Sequence, residues 1–138
     1  MASAFNKFQP FIAAIHNKVH NLATDQLMIA LTAAANPPVA TNSVLANLTE
    51  ISYTNLSSRV ITTTSSTQSS GLYKLVCQDL VLTASGAVAT FRYVVLYNNT
   101  ATNKELIAWW DYGSDVTLAN TETFTIDLDQ ANGVFSNT

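Results

Sequence analysis

With 138 residues the chain is long enough for one domain, spanning 1–138, that removes roughly 65–70% of its unfolded surface from water. Only 11% of its residues are charged, against about a quarter in an average soluble domain, and 48% are hydrophobic; 18 Thr, 12 Ser and 13 Asn carry the polar surface instead and lean the chain towards strands and turns. The net charge of −3, with cations scattered at Lys7, Lys18, Arg59, Lys74, Arg92 and Lys104, speaks against nucleic acid as a partner, and the lack of an apolar run of ~18–20 residues speaks against a membrane.

The first residues read as an extended N-terminal arm over 1–9. Pro10 and His16 interrupt FQPFIAAIH, so the charged n-region and unbroken apolar h-region of a secretion signal are missing, and the chain is expected to be made and folded in a cytosol. In FQPFIAAIHNKVHNL, Phe8, Phe11, Ile12, Ile15, Val19 and Leu22 recur at three- and four-residue spacing, which predicts a helix with Pro10 in its first turn. QLMIALT then reads as a strand of about six residues, closed by the turn-rich AAANPPVATN, and SVLANLTEI permits one or two helical turns.

From Ser57, RVITTTSSTQSSGLYKLVCQDLVLTASG predicts two or three strands with a break at Gly71, although the polar TTTSSTQSS also fits a mobile loop. Its lone Cys77 lies in the apolar LVCQDLVL, where a buried, inert thiol is expected. TFRYVVLYNN is apolar on both faces, as in a central strand. After the NNTATN loop, KELIAWWD reads as a strand and DYGSD as a turn. TFTIDLD alternates, with Phe124, Ile126 and Leu128 inward, and the Asn132-Gly133 turn leads into a last short strand at Val134-Phe135. Six to eight short strands, one N-terminal helix and no βαβ alternation predict a mainly β fold, an antiparallel β-sandwich or jelly-roll-like architecture.

Groups capable of chemistry are sparse. His16 and His20 lie four apart, but HNKVH lacks the glutamate of HExxH and the chain has no further His to complete a metal site. Asp127 with Asp129, and Asp111 with Asp115, are explained as well by solvated strand and turn positions as by acid–base or calcium chemistry. With no GxSxG elbow and no phosphate loop, the chain is read as a non-enzyme with no catalytic residue, no cofactor and no metal.

Aromatic residues remain. Adjacent strand residues point to opposite faces, so Trp109 and Trp110 cannot share one platform, and one of them belongs to the core. Phe5 and Phe8 either clasp a neighbour from the arm or close the protein's own core. Phe5, Phe8, Phe11, Trp109, Trp110 and Tyr112 are the candidate interface residues.

FRYVVLYNNTATNKELIAWWDYG, followed by TFTIDLD and ANGVF, resembles a family of small structural proteins of tailed bacteriophages; KVHNLATDQLMIALT and PPVATN extend the resemblance over nearly the whole chain. Some members are similar to capsid cement, or decoration, proteins with a jelly-roll-like fold. The resemblance implies a virion protein on the capsid exterior that links neighbouring major capsid subunits and associates with itself as a dimer or higher oligomer. It implies no activity and no cofactor. A tail or baseplate component, and a carbohydrate-binding host-attachment module, are the alternative expectations.

Overall fold

The structure, a computed structural model, describes residues 3–137. It is mainly β, with antiparallel sheets and one helix. The strands are β1 (Asn6–Lys7), β2 (Leu27–Thr32), β3 (Val60–Ile61), β4 (Thr63–Ser69), β5 (Leu72–Cys77), β6 (Leu80–Thr83), β7 (Phe91–Asn98), β8 (Leu106–Val116), β9 (Thr123–Ile126) and β10 (Phe135–Asn137); the helix, α1, is Pro10–His16. They form a five-stranded sheet β1-β8-β7-β2-β3, a three-stranded sheet β10-β5-β4 and the pair β6-β9.

The two-sided apolar pattern of TFRYVVLYNN has the expected consequence. β7 lies in the middle of the larger sheet, between β2 and β8, and buries Val94, Val95, Leu96 and Tyr97 in succession because both of its faces are covered. Around it one core gathers Phe8, Phe11, Leu27, Leu75, Leu82, Phe91 and Ile107. Cys77 belongs to this core, and burial pushes its thiol above the ordinary range, so it has no thiolate character.

α1 is shorter than its periodicity predicts. Phe8 precedes it, and the chain leaves the helix at Asn17, whose N–H still bonds Ala13 O at 2.9 Å, before Lys18 turns into the left-handed region with φ 67°. Leu22 therefore packs on the core from a loop, Val19 is half-buried, and Ile12 is exposed. SVLANLTEI supplies a single 3-10 turn, Leu45–Asn47.

The stretch 57–86 holds four strands, β3 to β6, where two or three were expected, and TTTSSTQSS is strand β4. Ser70 and Gly71, with φ 52° and 81°, join β4 to β5 in a two-residue turn of the primed type, whose twist suits a hairpin. DYGSD is likewise no separate turn, since β8 runs through it to Val116. Its turn formers are absorbed as a bulge: the register passes from Tyr93↔Asp111 to Phe91↔Val116, and Gly113 takes φ 94°. Arg92 anchors the bulge, donating to Asp111 Oδ1 at 2.8 Å and Oδ2 at 3.2 Å.

β9 ends at Ile126 and pairs with β6, so Asp127 and Asp129 lie just beyond it, exposed as their alternation predicts. After the Asn132-Gly133 turn, β10 joins β5 instead of returning to β9. Gly133 decides this route. It adopts φ 86°, and a Cβ there would sit 2.7 Å from the Leu75 carbonyl oxygen, while the Val134 N–H donates to that same oxygen at 2.7 Å. Gly133→Ala is therefore expected to cost about 1–3 kcal/mol by combining backbone strain with a clash against main chain. Urea denaturation would measure it, and a loss below about 0.5 kcal/mol would contradict this account.

Candidate interface groove

β8 carries both tryptophans, and strand alternation sends them to opposite sides. Trp109 is covered by Phe8, their ring centroids 4.5 Å apart. Trp110 meets Phe5 edge to face at 5.8 Å. Phe5 also stacks on Phe135 at 6.2 Å, and Phe135 touches Phe11 at 5.5 Å and Tyr73 at 5.8 Å, so a row of rings leads from the core to the surface. Both tryptophans are half-buried and pack on the core, which refines the expectation of one core ring and one contact ring.

The arm needs correcting. Residues 1 and 2 lie outside the described residues, but β1 pairs with β8 in the register Asn6↔Trp109 and Lys7↔Ala108, and the Phe8 N–H donates to Ile107 O at 3.2 Å. The segment from Asn6 onward is thus the edge of the chain's own sheet. Phe8 and Phe11, 0% and 2% exposed, are core residues and are withdrawn as contact residues. Phe5 and Tyr112, 37% and 36% exposed, remain accessible, and Trp110 lies between them.

These three rings line two adjoining surface depressions. Trp110 and Tyr112 line a pocket of about 70 Å³ together with Phe124 and Val94. A second depression, a groove of about 590 Å³ that shares Trp110, Asp127 and Leu128 with the first, is lined by Phe5, Trp110 and residues of the 127–134 segment. Phe124 holds Tyr112 in place edge to face at 5.3 Å. The groove's far wall is organised internally. Asp129 accepts from the Ala131 and Asn132 N–H groups, both at 2.9 Å, and the Asn132 contacts hold its carboxyl below the usual carboxylate range. Gln130 Nε2 donates to Asp79 Oδ1 at 2.9 Å. Both groups thus shape the wall through contacts within the chain. The roles of Phe124 and Phe135, and the tie of Gln130 to Asp79, could not be read from spacing, since they depend on contacts distant in sequence.

The other sequence candidates separate. His16 ends α1 and is exposed, whereas His20 lies beyond the helix break, and among the described residues no group of three His, Cys, Asp or Glu could hold a metal. Asp111 is paired with Arg92, whose side-chain hydrogen bonds hold its carboxyl below the ordinary range. Among the described residues no helix is long and apolar enough to cross a membrane.

Sequence reading also missed a buried polar junction at Asn98, which is fully buried. Its Oδ1 accepts from the N–H groups of Thr100 and Ala101 at 2.9 and 3.1 Å, which orients the amide. Its Nδ2 then faces Asp25 Oδ2 at 2.6 Å and His20 Nδ1 at 2.9 Å. His20 Nδ1 must therefore accept, and the neutral ring carries its proton on Nε2. Adding a second proton would set two donors against each other. Burial, opposed by the charges of Glu105 and Asp25, holds the His20 pKa below its ordinary 6.5.

Since the unfolded chain binds this proton more readily, the junction contributes fully above pH 6.5, and its contribution falls as the pH drops from there through the lowered folded value. His20→Asn, which can present an acceptor oxygen near the Nδ1 position and does not titrate, is expected to flatten the fall in Tm between about pH 7 and 5. An unchanged slope would assign that fall to other groups.

No protein-family model matches the chain, and neither does any curated protein or solved structure.

Proposed function

We propose that this chain is a virion structural protein, a capsid cement protein that binds the outer capsid surface, links neighbouring major capsid subunits and acts through surfaces instead of a reaction centre. The observation that carries the reading is the pair of adjoining depressions lined by Tyr112 and Trp110 and by Trp110 and Phe5, where aromatic area stays accessible on a surface rich in Thr, Ser and Asn. Aromatic rings beside a concave surface are the usual anchors of protein contacts, because they combine large apolar area with few rotatable bonds. The resemblance over FRYVVLYNNTATNKELIAWWDYG supplies the partner class. On a symmetric shell each copy needs only a modest contact, since many equivalent contacts act together.

Reconstitution tests this directly. Purified protein is added to capsids lacking it, and bound copies and capsid resistance to heat are measured. Saturable binding with added resistance is expected, and Tyr112→Ala with Phe5→Ala should weaken binding about tenfold or more, as loss of two anchor rings does. Absence of binding would sink the cement role, and cryo-electron microscopy of intact particles showing the protein in the tail would replace it with the tail assignment.

A further inference from the structure

The sheet edges of this protein are not treated alike. β1, β3 and β10 offer two, two and three residues, and β9 offers four. β6 is closed on its outer side by the segment at Ser57, whose N–H donates to Thr83 O at 3.0 Å and whose Oγ accepts from the Thr83 N–H at 2.8 Å. β8 is covered by β1 at Ala108 and Trp109, and further along is bulged and carries Asp111 and Asp115. Such devices, short edges, covers, bulges and charges, keep sheets from pairing with other chains.

β4 has almost none of them. It is seven residues long, lies at the edge of its sheet, and reads TTSSTQS with neither a charge nor a proline. A register irregularity confines the regular part to Ser65–Ser69. Ser69 and Leu72 flank the two-residue turn, so they exchange ladder hydrogen bonds, and alternation directs the backbone groups of Thr67 and Ser65 towards β5. The N–H and C=O groups of Ser66 and Gln68 consequently face outward, and among the described residues no other segment bonds to them.

We infer that β4 pairs antiparallel with β4 of a second copy of this chain, about a two-fold axis at Thr67, joining two three-stranded sheets into one. A second copy fits for three reasons. Antiparallel pairing of a strand with itself is closed by a two-fold axis, so it ends at a dimer. The uncharged edge sets no like charges against each other, a condition that a strand must meet to pair with itself. The register also brings the outward groups of Ser66 on one chain to those of Gln68 on the other, for about four backbone hydrogen bonds. The contact is smaller than the roughly 1,000 Å² of a stable stand-alone interface, so it is weak in dilute solution and strengthened when copies are held side by side. It does not depend on the capsid assignment.

The pure full-length chain tests it. Sedimentation up to about 1 mM should show a reversible monomer–dimer equilibrium, with the Ser66 and Gln68 amides gaining exchange protection as concentration rises. Thr67→Glu faces Lys74 within the hairpin and so keeps it, but opposes its own copy across the axis, and should weaken dimerisation about tenfold or more. Thr67→Cys places two thiols across a non-hydrogen-bonded pair, about 4.5 Å between Cα atoms and within disulfide reach, and should cross-link under mild oxidation much faster than Val39→Cys on another exposed surface. A chain that stays monomeric throughout, or cross-linking no faster at Thr67 than at Val39, overturns the proposal; the wild-type measurements decide it even if a variant fails to fold.

Discussion

Phe8→Ala is expected to lower the unfolding free energy by about 3–5 kcal/mol, the range for removing a large buried ring without collapse of the space it leaves. Phe8 is fully buried, lies against Trp109, and its backbone holds the first strand to β8 at Ile107. Its loss therefore removes core volume and loosens the edge that carries Phe5. Phe5→Ala makes the contrast: at 37% exposure it should cost under about 1.5 kcal/mol. Denaturant titration of the two variants beside wild type settles the order. Equal, small losses would mean that Phe8 is not part of the core, and would restore the arm as a detachable clasp.

Asn98→Ala is the second large effect, expected at about 3–5 kcal/mol although it removes only a small polar side chain. The substitution takes their partner from the buried Ala101 N–H and from the Thr100 N–H and His20 Nδ1, and leaves Asp25 Oδ2 with the Asn21 N–H alone; each group stranded away from water in this way costs about 1–3 kcal/mol. Asn98→Asp separates hydrogen bonding from shape. It keeps the acceptor for the two backbone groups but turns an oxygen towards Asp25 and His20, so it should destabilise at neutral pH and raise the His20 pKa, which NMR titration reads directly. A His20 pKa unmoved by Asn98→Asp would show that the ring does not accept from this amide.

Together these contacts brace the larger sheet at Phe8 and Asn98, while the aromatic groove lies at Trp110. Rigid support matters to a protein that works by contact, because an anchor ring whose neighbours already hold it loses little freedom on binding. Tyr112 against Phe124 and Trp110 against Phe5 are held in this way before any partner arrives.

Much of the strand order could be read along the chain. β2, β7 and β9 occupy the segments that their alternation or two-sided apolar pattern marked, because side-chain period is a local property of an extended backbone. DYGSD misled for a physical reason: the residues that make a turn also make a bulge, and only the ion pair from Arg92 on the neighbouring strand tells the two apart. TTTSSTQSS misled differently. Hydroxyl residues suit a strand or a loop equally, and its pairing with β5 is visible only once the two-residue turn has formed.

Composition and periodicity by themselves determined that this is a mainly β chain with one N-terminal helix, a low-charge surface and a buried thiol, since each follows from residue type and near neighbours. The division of Trp109 from Trp110 came with them, because alternation alone requires it. Which of the two half-buried rings lines the groove was decided by the tertiary structure: Phe8 packs on Trp109, while Trp110 meets Phe5 beside the groove. The Asn98 junction, the route of β10 to β5 and the open edge of β4 were decided there too. Each depends on which distant segments meet, and chain spacing carries no record of that.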